Sequence, residues 1–241
     1  MSRHCLIVSC EHGGREVPAA YATLFAGQEA LLDSHRGWDR GALELAQRIA
    51  DAVGAPLFAS TTTRLLIDLN RSPGHRQIFS EATRGLAPAE RQQIVLRHYR
   101  PHRDALEHAI AHRIARGAQV IHIASHSFTP RLNGVVRRAD VAWLYDPRRL
   151  AEATLSRLWM AELAQRAPGL RLRRNYPYRG RGDGVASLLR KRHPGGTYAG
   201  IELEVNQSFV QRGGARWAAL CSDLVDALAA ALAAETLRRL E

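Results

Sequence analysis

Three apolar runs of this chain carry residues that could bind a metal ion or transfer a proton. The run LIVSC leads to Glu11-His12, the run VIHIA leads through one serine to His126, and the run YAGIELEV contains Glu202 and Glu204. In an open α/β sheet, ligands bind outside the carboxyl ends of the strands, so residues far apart in sequence can converge there. Two histidines and a carboxylate can hold Zn²⁺ and leave a position for water. The pattern therefore indicates a hydrolase.

His12 and His126 differ from most of the 11 histidines in the chain. Each follows a β-like run and leads into a loop marked by Gly13-Gly14 or by Pro130, as a site at a strand end requires. We expect most of the other histidines to lie at the surface. His12 and His126 are therefore the candidate ligands.

The length and composition of the chain predict one domain over residues 1–241. With 241 residues, 46% of them hydrophobic, the chain can bury one sizeable core. We expect no membrane span and no signal sequence, because the apolar stretches look shorter than the ~18 to 20 residues that cross a bilayer. Three cysteines without CxxC spacing argue against a disulfide framework and a cysteine-based zinc module. These features predict a cytoplasmic protein.

The formal net charge of +11 comes almost entirely from arginine, with Lys191 as the single lysine. Arginine favours bidentate recognition of carboxylates and phosphates, so the charge suggests an acidic substrate or partner. A basic nucleic-acid-binding protein is the alternative outside the enzymes. The charge is spread along the chain rather than gathered on a recognisable module, which disfavours nucleic acid. The densest run, residues 171–192, resembles a glycine-containing basic loop.

Apolar periodicity predicts an alternation of strands and helices. Strands are predicted at 6–10, 56–59, 64–70, 120–124, 141–145 and 198–205, and helices at 39–53, 89–116 with a kink or break at Pro101, 148–166, 185–192 and 215–240. This order predicts an α/β fold with a largely parallel sheet between helices. Asp39 would begin the first helix, where an acidic cap is stabilising, so a purely structural role is a strong alternative for it.

Five segments together resemble the N-formylglutamate amidohydrolase family. They are CEHGG at 10–14, WD at 38–39, IDLNR at 67–71, SHSFTP at 125–130 and LEVN at 203–206. The resemblance runs from about residue 6 to residue 207, and the combination of DLNR, SHSFTP and ELEVN is more specific than any one motif. It implies a zinc-dependent amide hydrolase related to the zinc carboxypeptidases, with a three-layer α/β/α fold and a mixed, mostly parallel sheet. The implied substrate is a small anionic N-acyl amino acid.

The resemblance also implies a set of metal ligands. Carried over by position, His12 and His126 would bind one zinc ion, and Asp39 would be the third ligand. Glu11 is the competing candidate for the third position. Because neighbouring residues at a strand end tend to point to opposite faces, Glu11 should point away from His12, which favours Asp39.

The family acid near the end of the last strand matches Glu204, which we expect to act as general base and then general acid. Glu202, on the same face, is its alternative. Substrate contacts are predicted for Asn70, Arg71, Arg131 and Asn206, with Arg179 and Arg181 as further candidates. For Arg71 a structural network with Asp68 and Asn70 is an equally strong reading.

Two positions depart from the family members that cleave formylglutamate. Residues 127–130 stand where those enzymes carry a more basic segment, and Gln207 stands where they carry an arginine. Loss of an arginine near the site could shift the preference to another N-acyl amino acid. Among hydrolases the alternative is a cell-wall amidase or carboxypeptidase, against which the expected lack of a signal sequence counts.

Overall fold

The computed structural model describes residues 4–238 as a sheet flanked by helices. The strands are β1 (His4–Cys10), β2 (Leu57–Ala59), β3 (Gln119–Phe128), β4 (Arg131–Leu132), β5 (Val135–Val136), β6 (Val141–Leu144), β7 (Leu172–Arg174) and β8 (Tyr198–Asn206). The helices are α1 (Glu29–Leu32), α2 (Ala42–Val53), α3 (Pro88–Ile94), α4 (Arg100–Ala115), α5 (Leu150–Arg166), α6 (Val185–Arg192), α7 (Ser208–Arg212) and α8 (Gly214–Arg238), with a 3₁₀ helix at Ala19–Phe25 and a π-helical turn at Val95–Tyr99.

The main sheet has six strands in the order β2-β1-β3-β8-β6-β7. Strands β2, β1, β3 and β8 run parallel, and β6 is antiparallel to β8. Helices α2, α5 and α8 pack on one face, and α4 and α6 pack on the other. The predicted three-layer α/β/α fold with a mixed, mostly parallel sheet is confirmed.

Strand alternation gives the two faces of the sheet different chemistry. Ile201, Leu203 and Val205 of β8 enter the main core beneath α5 and α8. Because successive side chains of a strand point to opposite faces, Glu202 and Glu204 lie on the face covered by α4 and α6. The same alternation in β3 gives this face His122 and His126. Polar groups of two adjacent central strands therefore share one face.

Strand β3 is longer than predicted. The sequence suggested that it ends at Ala124, but it continues to Phe128 because residues 125–128 pair with residues 203–206 of β8. His126 therefore lies inside the strand rather than in the loop after it. Strand pairing fixes the backbone of His126 more firmly than a loop would.

The predicted buried strand at 64–70 is wrong. This segment forms turns, and its apolar side chains pack into a separate cluster with Phe25, Ile94 and Tyr99. Its carbonyls are bound by side chains instead of a neighbouring strand: Ser80 donates to Leu65 O, Thr83 to Leu66 O and Arg103 to Leu69 O. Apolar content alone could not distinguish such a buried turn from a strand.

Two helices differ from the predictions at their ends or interior. The helix predicted from Asp39 begins at Ala42, after Gly41, whose φ of 79° lies in the left-handed region that favours glycine. The helix predicted at 89–116 starts at Pro88 and continues through the π-helical turn, so Pro101 lies in the first turn of α4 and does not break it. The predicted end of the last helix, Leu240, lies outside the described residues.

Helix α8 corrects the expectation about apolar stretches. Residues 214–234 are long and apolar enough, by length and composition, to cross a bilayer. Trp217, Leu220, Leu224 and Leu228 of this helix are buried in the main core, where α8 packs against α5 and α2. This side of the helix is therefore in contact with protein.

His122, in the middle of β3, should make stability depend on pH. Its ring nitrogens lie 2.8 Å from Ser9 Oγ and 2.8 Å from Tyr198 OH, and burial lowers its pKa to about 4. Between pH 6.5 and 4 the unfolded chain binds a proton here that the folded protein does not, so this contribution to stability is present above pH 6.5 and is lost as pH falls. Urea unfolding should show a decrease of roughly 2 kcal/mol from this group between pH 7.5 and 5.

His122→Phe should remove that part of the pH dependence, whereas His108→Phe, on an exposed face of α4, should leave it unchanged. The difference between the unfolding free energies at the two pH values is the quantity to compare. An identical difference in wild type and His122→Phe would contradict the assignment.

Candidate active site

His12, Asp39 and His126 converge at the carboxyl end of the central strands. Asp39 Oδ2 lies 3.3 Å from His12 Nδ1 and 2.9 Å from His126 Nδ1. All three residues are buried, and their potential ligand atoms lie within 4.8 Å of one another. Two imidazole nitrogens thus face a single carboxylate oxygen.

Each of these residues is positioned by a different element. His126 belongs to β3, His12 follows β1 by two residues, and Asp39 lies in the loop before α2. The backbone N–H of Asp39 donates to His12 O at 2.9 Å, which ties this loop to the end of β1. A Cβ at Gly14 would lie 2.5 Å from Thr61 O, so the turn after His12 requires glycine. Asp39 makes no capping bond to α2, which leaves its carboxylate to the two histidines.

The second ring nitrogen of each histidine faces another carboxylate. His12 Nε2 lies 2.7 Å from Asp68 Oδ1, and His126 Nε2 lies 3.3 Å from Glu11 Oε2. Glu11 is fully buried and also lies 3.7 Å from His102 Nε2 on α4. Glu11 therefore contacts His126 on the side away from Asp39. Carboxylates in such positions hold the ring orientation of metal-binding histidines.

The electrostatics of the group favour charged side chains in spite of burial. Burial opposes ionisation of Glu11, but His102 and His126 hold its pKa well below the usual value. Burial likewise opposes ionisation of Asp39, and His12 and His126 lower its pKa. The pKa of His126 is raised well above its usual value by Asp39 and Glu11, against the effect of burial. The imidazole thus supplies positive charge to two buried carboxylates.

The donor set fits a divalent metal ion. One ring nitrogen of each histidine faces Asp39, while the other is held by a carboxylate, as is usual for metal-binding histidines. Asp68 and Asp39 lie within ion-pair distance of one guanidinium, that of Arg64. A divalent cation would supply further positive charge to this acidic group. Imidazole and carboxylate ligands in this number are typical of catalytic zinc sites.

Glu204 and Glu202 lie beside this group on β8. Glu204 pairs with His126 in the strand register, and Glu202 pairs with Ala124. Burial raises the pKa of Glu204 to about 8, and its buried Oε2 atom has no hydrogen-bond partner among the described residues. Burial also raises the pKa of Glu202, whose carboxylate interacts with Asn70. Of the two carboxyls, Glu204 has the oxygen that remains available.

One cavity of about 370 Å³ contains the three converging residues and both glutamates. Its other lining residues include Arg64, Asn70, Arg71, His35, Tyr178 and Arg179. Arg71 is partly exposed, donates to Asp183 O at 3.2 Å and lies 3.8 Å from Asp68. Asn70 accepts a hydrogen bond from Val185 N at 2.8 Å. The DLNR segment thus presents an amide and a guanidinium to the cavity.

Some predicted substrate contacts lie elsewhere. Asn206 is buried, donates to Ala139 O at 2.8 Å and accepts from Ser208 N, and Arg131 is exposed on the small β4–β5 hairpin. Neither is among the described residues that line the cavity. Gln207 donates to Ser127 Oγ at 3.1 Å and is also absent from that lining. The structure therefore brings Asn70 and Arg71 to the site, but not Arg131 or Asn206.

The sequence reasoning missed three contributors. Arg64, which it placed only at the start of a strand, pairs with Asp68 and Asp39 at the cavity. His102 contacts Glu11 from α4, and His35 lines the cavity. An arginine four residues before DLNR could be noticed in the sequence, but its side-chain direction depends on the turns that replace the predicted strand.

Comparisons with known proteins bear on the identity of this site. The N-formylglutamate amidohydrolase family matches residues 4–210. The gene product Atu2144 from Agrobacterium tumefaciens is 28% identical with a TM-score of 0.81, and the alignment covers 96% of this chain and 91% of that one. N-formylglutamate amidohydrolase from Ralstonia eutropha JMP134 shares the fold, with 22% identity, a TM-score of 0.69 and coverage of 98% and 94%.

No curated protein matches this chain. The family match nevertheless spans most of the sequence, including every segment that carries the cavity residues. The same region supplies the buried histidines and carboxylates described above. This chain therefore belongs to the N-formylglutamate amidohydrolase family and is a hydrolase that acts on amide bonds.

Proposed function

We propose that the protein is a zinc-dependent amidohydrolase that cleaves the amide bond of a small N-acyl amino acid such as N-formyl-L-glutamate, giving formate and glutamate. The observation that carries this proposal is the convergence of two histidine Nδ1 atoms on Asp39 beside the free oxygen of Glu204. Both features lie in a cavity that also presents arginine side chains. The arrangement suits attack by water on an acyl carbon.

His12, Asp39 and His126 would hold the metal ion. When bound there, zinc would act as a Lewis acid toward the acyl carbonyl and the attacking water. Asp68 and Glu11 would keep the two imidazoles oriented through the ring nitrogens opposite Asp39. This division of roles favours Asp39 over Glu11 as the third ligand.

Glu204 would take a proton from the attacking water and return it to the leaving amine nitrogen. A group with a pKa near the working pH can both accept and donate a proton, and burial raises the pKa of Glu204 to about 8. Glu202 is engaged with Asn70, which also contacts His126 Nε2 at 3.4 Å. Glu202 therefore suits a positioning role better than a proton transfer.

Arg71 would bind the carboxylate of the substrate. A guanidinium has five N–H donors in a planar fork that matches a carboxylate. In Arg71 one terminal nitrogen donates to Asp183 O, and the side chain remains 30% exposed at the cavity, which leaves donors for a ligand. Arg64 is more fully engaged, because it pairs with both Asp68 and Asp39.

Replacing Glu204 should remove catalysis without removing the metal site. We expect Glu204→Gln to lower kcat for formate release from N-formyl-L-glutamate by roughly 10² to 10⁴-fold, the usual contribution of a general base. Zinc content should remain that of wild type. The matched variant Glu202→Gln should lower kcat less, and a larger loss in that variant would assign the proton transfer to Glu202.

Replacing Arg71 should weaken substrate binding. Arg71→Ala should raise KM for N-formyl-L-glutamate by about 10 to 100-fold, since a charge-assisted hydrogen bond contributes about 1.5 to 3 kcal/mol. Arg131→Ala serves as the control, because Arg131 is exposed and does not line the cavity among the described residues. Steady-state kinetics of the two variants distinguish the roles. An unchanged KM in Arg71→Ala would exclude this contact.

The zinc content should depend on the ligand His126 and on Glu11, the carboxylate next to its Nε2 atom. Elemental analysis should find about one zinc ion per chain in wild type and none in His126→Ala. Glu11→Gln should bind zinc roughly 10 to 100-fold more weakly in a chelator competition. His108→Ala, on the exposed face of α4, should bind as wild type does. Wild type that takes up no zinc even when zinc is offered would refute the metal site.

A further inference from the structure

Two more cavities follow the active-site cavity along the surface. The first, of about 570 Å³, shares Arg179 and Gly182 with the active-site cavity. The second, of about 540 Å³, shares Arg181 with the first. Residues 175–184, which form part of the basic run 171–192, therefore border three consecutive cavities. A small N-acyl amino acid would occupy only the cavity at the active site.

The two outer cavities are strongly basic. Their cationic lining residues are Arg148, Arg149, Arg179, Arg181, Arg190 and Lys191. Asp146 is the single acidic residue among the described residues that line them. Such a concentration of one charge at a concave surface attracts anions.

The floor of the outermost cavity is rigidly built. Arg190 is buried, and its Nε donates to Glu152 Oε1 at 3.0 Å while its Nη2 donates to Gly200 O at 2.7 Å. Glu152 is fully buried and also accepts from the backbone N–H groups of Asp146 and Gly200. Arg149 pairs with the same carboxylate at 3.1 Å. Arg149 and Arg190 therefore have a structural role, because both pair with the buried Glu152.

Three cations remain available to a ligand. Arg179 and Lys191 are exposed and take part in no ion pair with another described residue. Arg181 is 56% exposed, and its contact with Asp146 is 3.9 Å long. Arg148, in contrast, binds both oxygens of Asp146. Arg179, Arg181 and Lys191 thus form a row that begins at the active site.

We propose that the substrate extends along this row and is an N-acylated acidic peptide, cleaved at its acyl amide. The inference rests on the proposed function, because the scissile amide would lie beside His12, Asp39 and His126. Water adds across the acyl carbon–nitrogen bond, so that the acyl group leaves as a carboxylic acid and the peptide leaves with a free amine. The carboxylates of the peptide would meet Arg179, then Arg181 and Lys191.

The surroundings favour a peptide over a nucleic acid. Proteins that bind single-stranded DNA or RNA combine a basic groove with aromatic side chains on which the bases stack. Tyr145 is the aromatic residue among the described lining of the two outer cavities, and it is buried. Carboxylates need only the guanidinium and ammonium groups.

The test compares three substrates: N-formyl-Glu, N-formyl-Glu-Glu-Glu and N-formyl-Glu-Ala-Ala. We expect kcat/KM of zinc-loaded wild type to be roughly 10-fold higher for N-formyl-Glu-Glu-Glu than for N-formyl-Glu-Ala-Ala, as two additional exposed ion pairs would give. In the double variant Arg181→Glu, Lys191→Glu the two tripeptides should have nearly equal kcat/KM. Arg97→Glu, Arg157→Glu changes the charge equally at exposed positions elsewhere and should keep the wild-type ratio of the two kcat/KM values.

A binding measurement separates this inference from the proposed function. Fluorescence anisotropy with labelled hexaglutamate should show binding to wild type that is weakened by the charge reversal at Arg181 and Lys191, whether or not any substrate is cleaved. If wild type binds hexaglutamate in this way but cleaves none of the three substrates, the proposed function is refuted while the acidic-peptide site is retained. Equal binding by wild type and that variant, equal kcat/KM for both tripeptides, or tighter binding of a labelled single-stranded oligonucleotide would overturn the inference.

Discussion

The carboxylate of Asp39, shared between two buried imidazoles, is the constraint on which the site depends. His12, from the turn after β1, and His126, from β3, approach the same oxygen. The other ring nitrogen of each histidine lies next to a further carboxylate. Buried carboxylates are costly unless positive charge accompanies them. His126, whose pKa is raised, and Arg64 provide such charge in this structure, and a divalent ion would provide more. The arrangement of His12, Asp39 and His126 therefore depends on positive charge that balances the buried carboxylates.

The sheet meets this constraint by placing the ionisable residues of β3 and β8 on one face. In β3 and β8 every second side chain points toward α4 and α6, which puts His126 next to Glu204. On the opposite face, Ile121 and Ile123 of β3 and Ile201, Leu203 and Val205 of β8 belong to the main core with α2, α5 and α8. His102 of α4 completes the polar side by contacting Glu11. The helices on that face thus contribute to the site as well as covering the sheet.

Much of this arrangement could be predicted from the sequence. Apolar runs located the central strands, and motif residues at their ends located His12, His126 and Glu204, which lie together. Glu11 also contacts His126, from the side away from Asp39, so both candidates for the third ligand position lie next to His126. These inferences succeeded because strand periodicity is local and the carboxyl ends of parallel strands meet at one edge.

The remaining features depend on contacts between distant segments. The turns at 64–70 are stabilised by side chains from residues 80, 83 and 103, which no local pattern reveals. No local pattern reveals the pKa values of the buried carboxyl groups either. Asp39 and Glu204 are both buried, yet histidines lower the pKa of Asp39, whereas Glu204 lacks comparable compensation and its pKa rises to about 8. Two acids in one cavity are thereby suited to different tasks, one to hold charge and one to move a proton.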